Sequence, residues 1–303
     1  MQKKEKLAYA GLSLMTLITG LSFIFMKIGL MYTNPYDLLA HRFVIAFLTI
    51  IILTLLKIIK LPKIKLKDWI SLLGVSLFYP SLFFLFQSLG MEHSSASDAG
   101  IIFAFLPILA FISGSIFLKE TTSLLQKIGV FLSVSGVIFI FTHRDNIENQ
   151  NIISVFFLIC SVVSMLIYLI SGKRIMRSHN SISLTALMVT IGFISFSTIS
   201  IFRHISNGTI SLVFEPFLCS NFIYSVLYLG ILSSVLTSFF SNYALIYIPA
   251  SKISIFSNLN PIIAIIGGIF ILDEIFTWTD IIGSALVLLG VLLVLFFKPS
   301  IKN

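Results

Sequence analysis

The sequence predicts an all-α membrane protein of ten transmembrane helices arranged as two inverted five-helix repeats, on three observations. The first is composition. Across 303 residues, 57% are hydrophobic and only 11% charged, with a mean hydropathy of +1.06, which is too apolar for a soluble domain. The second is length, because ten apolar stretches can each cross a bilayer core of about 30 Å, which takes roughly 20 helical residues. The third is an internal repeat. SASDAGIIFAFLPILAFISGSIFLKE, from Ser95, aligns with PASKISIFSNLNPIIAIIGGIFILDE, from Pro249, at a constant offset of 154 residues. Pro107 falls on Pro261, Gly114 on Gly268 and Glu120 on Glu274, and the next helix keeps step with Gly129 on Gly283 and Gly136 on Gly290. A membrane-length helix broken by proline and carried twice points to a transporter with its site between the halves.

In order, the spans run approximately Leu7 to Leu30, Tyr36 to Leu56, Trp69 to Leu89, Ala96 to Leu118, Leu124 to Phe141, Ile152 to Ser171, Ser183 to Phe202, Phe217 to Ala244, Ala250 to Leu272 and Trp278 to Phe297. The basic start MQKKEK is followed by an apolar run with no small-residue cleavage pattern, so the first span reads as a retained helix. The polar stretch HRDNIENQN, residues 143–151, reads as the linker between the repeats. Asn207-Gly208-Thr209 matches a glycosylation triplet, a short pattern that chance also produces.

Orientation follows from the basic residues, which stay on the cytoplasmic side in short loops. With the N-terminus inside, sixteen of the 20 Lys and Arg residues are cytoplasmic, and only Lys27, Arg42, Arg144 and Arg203 lie toward the other face. The net charge of +8 is therefore a topology signal, and no nucleic acid partner is expected. Both termini fall in the cytoplasm of a multi-pass protein of the cell (inner) membrane. Five spans per repeat is an odd number, so the second copy enters from the opposite side.

TGLSFIFMKIGLMYTNPYDLLAHRFVIAFL, from Thr19, resembles the first two helices of the EamA-type family of the drug/metabolite transporter superfamily. Lys27, Arg42 and Phe43 match that family's positions, and the stretches ending FLKE and ILDE, each followed by a glycine-spaced helix, resemble its repeat signature. The tryptophan usual in the first helix is absent, with Thr19 and Gly20 in its place. The resemblance implies ten helices, a first EamA repeat over 1–147 and a second over 148–303, a central cavity, and export or exchange of amino acids or other small metabolites.

Several residues are candidates for the work. Pro107 and Pro261 each remove a hydrogen bond near mid-span and free a carbonyl, which makes them candidate hinges, although membrane helices also tolerate proline routinely. Asn258 and Asn260 sit near the middle of the ninth span, where an amide must face protein; they serve either substrate contact or interhelical bonding. Tyr79 and Gln87 in the third span are further substrate-binding candidates, with Tyr168 and Asn242 behind them. Lys27 lies about 5 Å from the outer end of its helix and is either a snorkelling anchor or a substrate contact. Arg42 either faces protein or snorkels outward, and Asp37 with His41, four apart, forms a structural pair. Glu120 and Glu274 read as caps for the helices that follow, with Thr121, Thr122 and Thr277 as alternatives, and Asp98 as an opening turn.

What is missing narrows the function further. All 12 acidic residues fall at helix ends or in loops, so a proton relay on a central carboxylate is disfavoured. SGKRI, from Ser171, lacks the first glycine and the final hydroxyl of a phosphate-binding loop. The two cysteines, Cys160 and Cys219, stand in apolar runs without neighbouring ligands, so neither disulfide nor metal is expected. The expectation is a secondary transporter of neutral or zwitterionic small metabolites, with no catalytic residues and no cofactor. Its expected partners are a small-molecule substrate and membrane lipids, with a homodimer left open. A membrane enzyme on lipid-linked substrates and a non-transporting sensor or assembly protein stand as the alternatives.

Overall fold

The computed structural model describes residues 3–60, 69–92, 102–103, 106–117, 123–142, 152–176, 180–260, 262–263, 266–267 and 278–296. Pro261, Asp98, Glu120, Thr121, Thr122, Glu274, Thr277 and the linker 143–151 lie outside the described residues. Every regular element among the described residues is helical. In order they are α1 (Lys3–Leu30), α2 (Pro35–Leu55), α3 (Trp69–Ser76), α4 (Phe83–Glu92), α5 (Leu106–Phe117), α6 (Leu124–Thr142), α7 (Ile152–Ile175), α8 (Ser181–Asn207), α9 (Ser220–Leu227), α10 (Thr237–Tyr247), α11 (Ala250–Phe256) and α12 (Trp278–Phe296).

Local chemistry sets the helix ends. Asn34 Oδ1 accepts from the backbone of Tyr36 and Asp37, both at 3.1 Å, and Pro35 opens α2 where no helical N–H partner is needed. Asn180 caps α8 in the same way, accepting from Ser183 N at 2.8 Å. Gly208 ends α8 at φ +65°, a conformation glycine adopts without a Cβ penalty. Among the described residues, the cap of α6 is supplied by Ser123. Its N–H donates to Gln126 Oε1 at 3.0 Å, and Gln126 N donates to Ser123 Oγ at 3.2 Å, a reciprocal capping box.

Among the described residues, six helical stretches are long and apolar enough to cross a membrane: Lys4–Leu30, Pro35–Leu55, Ile70–Glu92, Ile152–Ile175, Ser181–Asn207 and Ser220–Tyr247. Leu124–Phe139 and Ile281–Val294 are shorter apolar helices, and the expected fourth and ninth spans run partly through residues outside the described set. Large apolar side chains such as Leu48, Ile52, Leu55, Phe156 and Phe202 stand exposed on the outside of the bundle. In water they would form an unsupported apolar surface, and in lipid they are solvated.

The pair α6 and α12 packs through glycine. A Cβ on Gly129 would lie 2.7 Å from the Gly290 carbonyl oxygen, and one on Gly136 would lie 2.6 Å from that of Gly283. Only residues without side chains allow this approach, the small-residue packing of membrane helices. As one residue number rises the other falls, so the helices are antiparallel. Gly129 aligns in sequence with Gly283 and Gly136 with Gly290, yet each meets the partner of the other in space. A two-fold relation between the two helices has that consequence.

Candidate functional site

Two of the long spans lose helical regularity in their middles. Between α3 and α4, residues Leu77–Leu82 form a π-helical turn in which Tyr79 leaves helical geometry altogether, at φ −137° and ψ 117°. Pro80 has no N–H to give the ladder, which accounts for the break. Between α9 and α10, Tyr228–Leu236 is also π-helical. Here hydroxyls take carbonyls that a regular ladder would use: Ser234 Oγ donates to Leu229 O at 2.9 Å and Thr237 Oγ1 to Ser233 O at 2.5 Å. The offset of 154 places Tyr79 on Ser233 and Pro80 on Ser234, so the two irregular turns occupy matching positions in the repeat. π-turns of this kind concentrate at functional sites.

Arg42 of α2 reaches between them. Nε donates to Ser234 Oγ at 2.7 Å, and Nη2 donates to Ser233 Oγ at 3.0 Å and to Ser233 O at 3.3 Å. The guanidinium carbon lies 3.9 Å from the centre of the Phe84 ring, a cation–π contact. Arg42 is only 2% exposed, and among the described residues its hydrogen-bond partners are neutral. Gly230 makes room for it, because a Cβ there would come within 2.9 Å of the Arg42 carbonyl oxygen and 2.7 Å of Ile45.

Aromatic and amide groups adjoin this cation. The Tyr79 ring lies 5.4 Å from Phe84 and stacks on Tyr168 at 4.6 Å, and its hydroxyl bonds to Ser238 and Thr237. Tyr168 OH lies 2.8 Å from Ser241 Oγ and donates to Asn242 Oδ1 at 3.0 Å. Asn242 Nδ2 donates in turn to Thr185 Oγ1 at 3.0 Å. Side chains of α2, α4, α7, α8 and α10 with both π-turns thus enclose one polar, aromatic cluster, closed to solvent in this conformation.

One helical turn away, Asp37 ties α2 to α8. Its carboxylate accepts from Asn34 Nδ2 at 2.6 Å and from Ser200 Oγ at 2.6 Å, and lies 2.9 Å from His204 Nε2. The expected Asp37–His41 pair is therefore replaced by these three contacts. His41 turns instead to Phe217 and Phe222, edge-on at 4.9 and 5.7 Å, and bonds the backbone of Val213.

The other candidates are scattered. Gln87 is buried on α4, and Lys27 is exposed at the end of α1. Asn258 Nδ2 donates to Ser133 Oγ of α6 at 3.0 Å while its Oδ1, like that of Asn260, has no hydrogen-bond partner. Asn258 stands in the 3-10 turn Ser257–Leu259 that follows α11, just ahead of Pro261. Pro107 is buried in the first turn of α5 as described. Where the tryptophan is absent, a Cβ on Gly20 would lie 2.6 Å from Ile263 and 3.2 Å from the Asn260 carbonyl oxygen. The chain there is too close to α1 for an indole. Sequence reasoning missed Ser233, Ser234, Phe84, Ser238, Ser241 and Thr185, although extending the 154-residue register upstream pairs Tyr79 with Ser233. Among the described residues no group of three or more His, Cys, Asp or Glu side chains is placed to hold a metal ion.

The chain is similar to known proteins. An uncharacterized transporter of Bacillus subtilis, YcxC, is 39% identical over 94% of this chain and 91% of its own length. An uncharacterized transporter of Archaeoglobus fulgidus is 28% identical over 93% of this chain and 96% of its length. A solved crystal structure shares the fold at a TM-score of 0.76 and 15% identity, covering 95% of this chain and 96% of that one. The EamA-like transporter family matches residues 6–142 and again residues 152–296. The chain belongs to the EamA-like transporter family, and with it to the drug/metabolite transporter superfamily.

Proposed function

We propose that the chain is a secondary transporter that exports or exchanges small metabolites, amino acids foremost, by alternating access. In this reading ten helices form two inverted repeats, 1–147 and 148–303, in the cell (inner) membrane with both termini cytoplasmic. The repeats rock against one another so that the cluster between them opens to each side in turn. The observation that carries the reading is the pair of π-turns, Leu77–Leu82 and Tyr228–Leu236, at matching positions and gathered around one buried cation. Interrupted helices at corresponding places in two halves are where transporters of this construction hold substrate. The crossed glycine contacts of α6 and α12 support the inversion. Tyr79 contacts substrate, Gln87, Asn258, Asn260 and Lys27 line its path, and Pro107 and Pro261 serve as hinges.

Counterflow of labelled amino acids and related metabolites in proteoliposomes tests this. Accumulation driven only by unlabelled substrate inside, without a pH gradient, is the expected result. Flux strictly dependent on a pH gradient would contradict the uncoupled exchange, and absence of flux for every probe would contradict transport.

A further inference from the structure

We infer that Arg42 anchors a carboxylate of the transported molecule, so that the substrate class is small organic acids, zwitterionic amino acids included. This rests on the transporter reading above. A guanidinium carries five N–H donors in a planar fork that fits a carboxylate bidentately. Among the described residues, the hydrogen bonds of Arg42 use Nε and Nη2, all to neutral oxygens of Ser233 and Ser234, and none uses Nη1. No ion pair to Asp or Glu is formed by Arg42 among the described residues, although it is 2% exposed and lies about 10 Å along α2 from Pro35. A buried cation without a counter-charge is unfavourable, and a bound acid removes the imbalance.

The surroundings fit the rest of such a molecule. Phe84 covers the guanidinium, and the stacked rings of Tyr79 and Tyr168 offer an apolar wall beside it. The serines that hold Arg42 belong to a π-turn, so a change in that turn's bonding repositions the anchor directly. Recognition of the acid and movement of the interrupted helix are in this way coupled through Ser233 and Ser234.

The test uses labelled L-phenylalanine, L-threonine and benzoate in counterflow, each challenged with the unlabelled acid and with its carboxamide. Acids should compete about tenfold or more better than amides, and Arg42→Gln should lower the initial rate by about tenfold or more, with Arg42→Lys retaining part of it. Thermal stabilisation of detergent-purified protein by the same compounds reads binding without flux, and Arg42→Gln should remove the stabilisation by acids. Amides equal to acids, or Arg42→Gln within about twofold of wild type, overturns the assignment while leaving transport standing. Acid-specific stabilisation without any flux keeps the Arg42 site and overturns transport instead. Absence of both flux and thermal stabilisation for every acid overturns the assignment.

Discussion

Two junctions in the molecule solve the problem of joining helices in lipid in opposite ways. At the seam between α6 and α12, glycines bring backbones into contact, the ladders stay regular, and Ser123 with Gln126 caps the start of α6. At the seam made by α2 with α8 and the two π-turns, a carboxylate and a guanidinium are buried and the helices beside them are interrupted. Glycine packing along regular ladders, crossed by one side-chain bond from Gln126 Nε2 to Val294 O at 3.3 Å, has one close-packed arrangement and resists movement. Interrupted ladders held by hydroxyls have more than one way to satisfy the same carbonyls, so that seam can rearrange. On the proposed reading, the first junction holds the protein together and the second carries the work.

Substitutions separate the two. The largest loss is expected from Gly136→Val, whose side chain would enter the Gly283 carbonyl and the Val287 amide. Overpacking of about 3 kcal/mol should appear as a lowered melting temperature and aggregation. Asp37→Ala removes three contacts to a charged group and should cost about 2 kcal/mol by the same measurement. An effect as large as that of the glycine variant would erase the distinction between the seams. Asn34→Ala and Asn180→Ala each remove a helix cap and should cost about 1 kcal/mol. Smallest is Asn258→Ala, where loss of a single interhelical bond to Ser133 should cost about 0.6 kcal/mol. If that variant also raises the KM for flux with little thermal change, Asn258 joins the substrate path, and an unchanged KM marks it as a helix contact alone.

Much of the fold was legible because membrane spans are written in composition, and the glycine seam is written twice in register. Helix interruption was legible only where proline marks it, which drew attention to Pro107 and Pro261. Pro80 marks the first π-turn, but the second contains no proline. It arises from Gly230 and the hydroxyls of Ser233, Ser234 and Thr237, residue types that regular membrane helices also contain. The Asp37–His41 spacing was correctly read as one helical face, yet a partner from distant sequence, His204, took the carboxylate. Arg42 was readable as a charge that either faces protein or snorkels outward, and the structure buries it. Its neutral surroundings depend on which helices pack around it, and no local pattern encodes that.

The most direct measurement pairs melting temperature with counterflow in Arg42→Met. If Arg42 serves transport, an apolar side chain of similar length should leave stability within about 1 kcal/mol of wild type, because among the described residues Arg42 has no counter-charge to strand and Ser234 Oγ and Ser233 O keep their bonds to Leu229 O and Thr237 Oγ1, while counterflow is lost. A melting temperature that falls as far as that of Gly136→Val, with flux per folded molecule preserved, would make Arg42 a structural clamp and contradict the account.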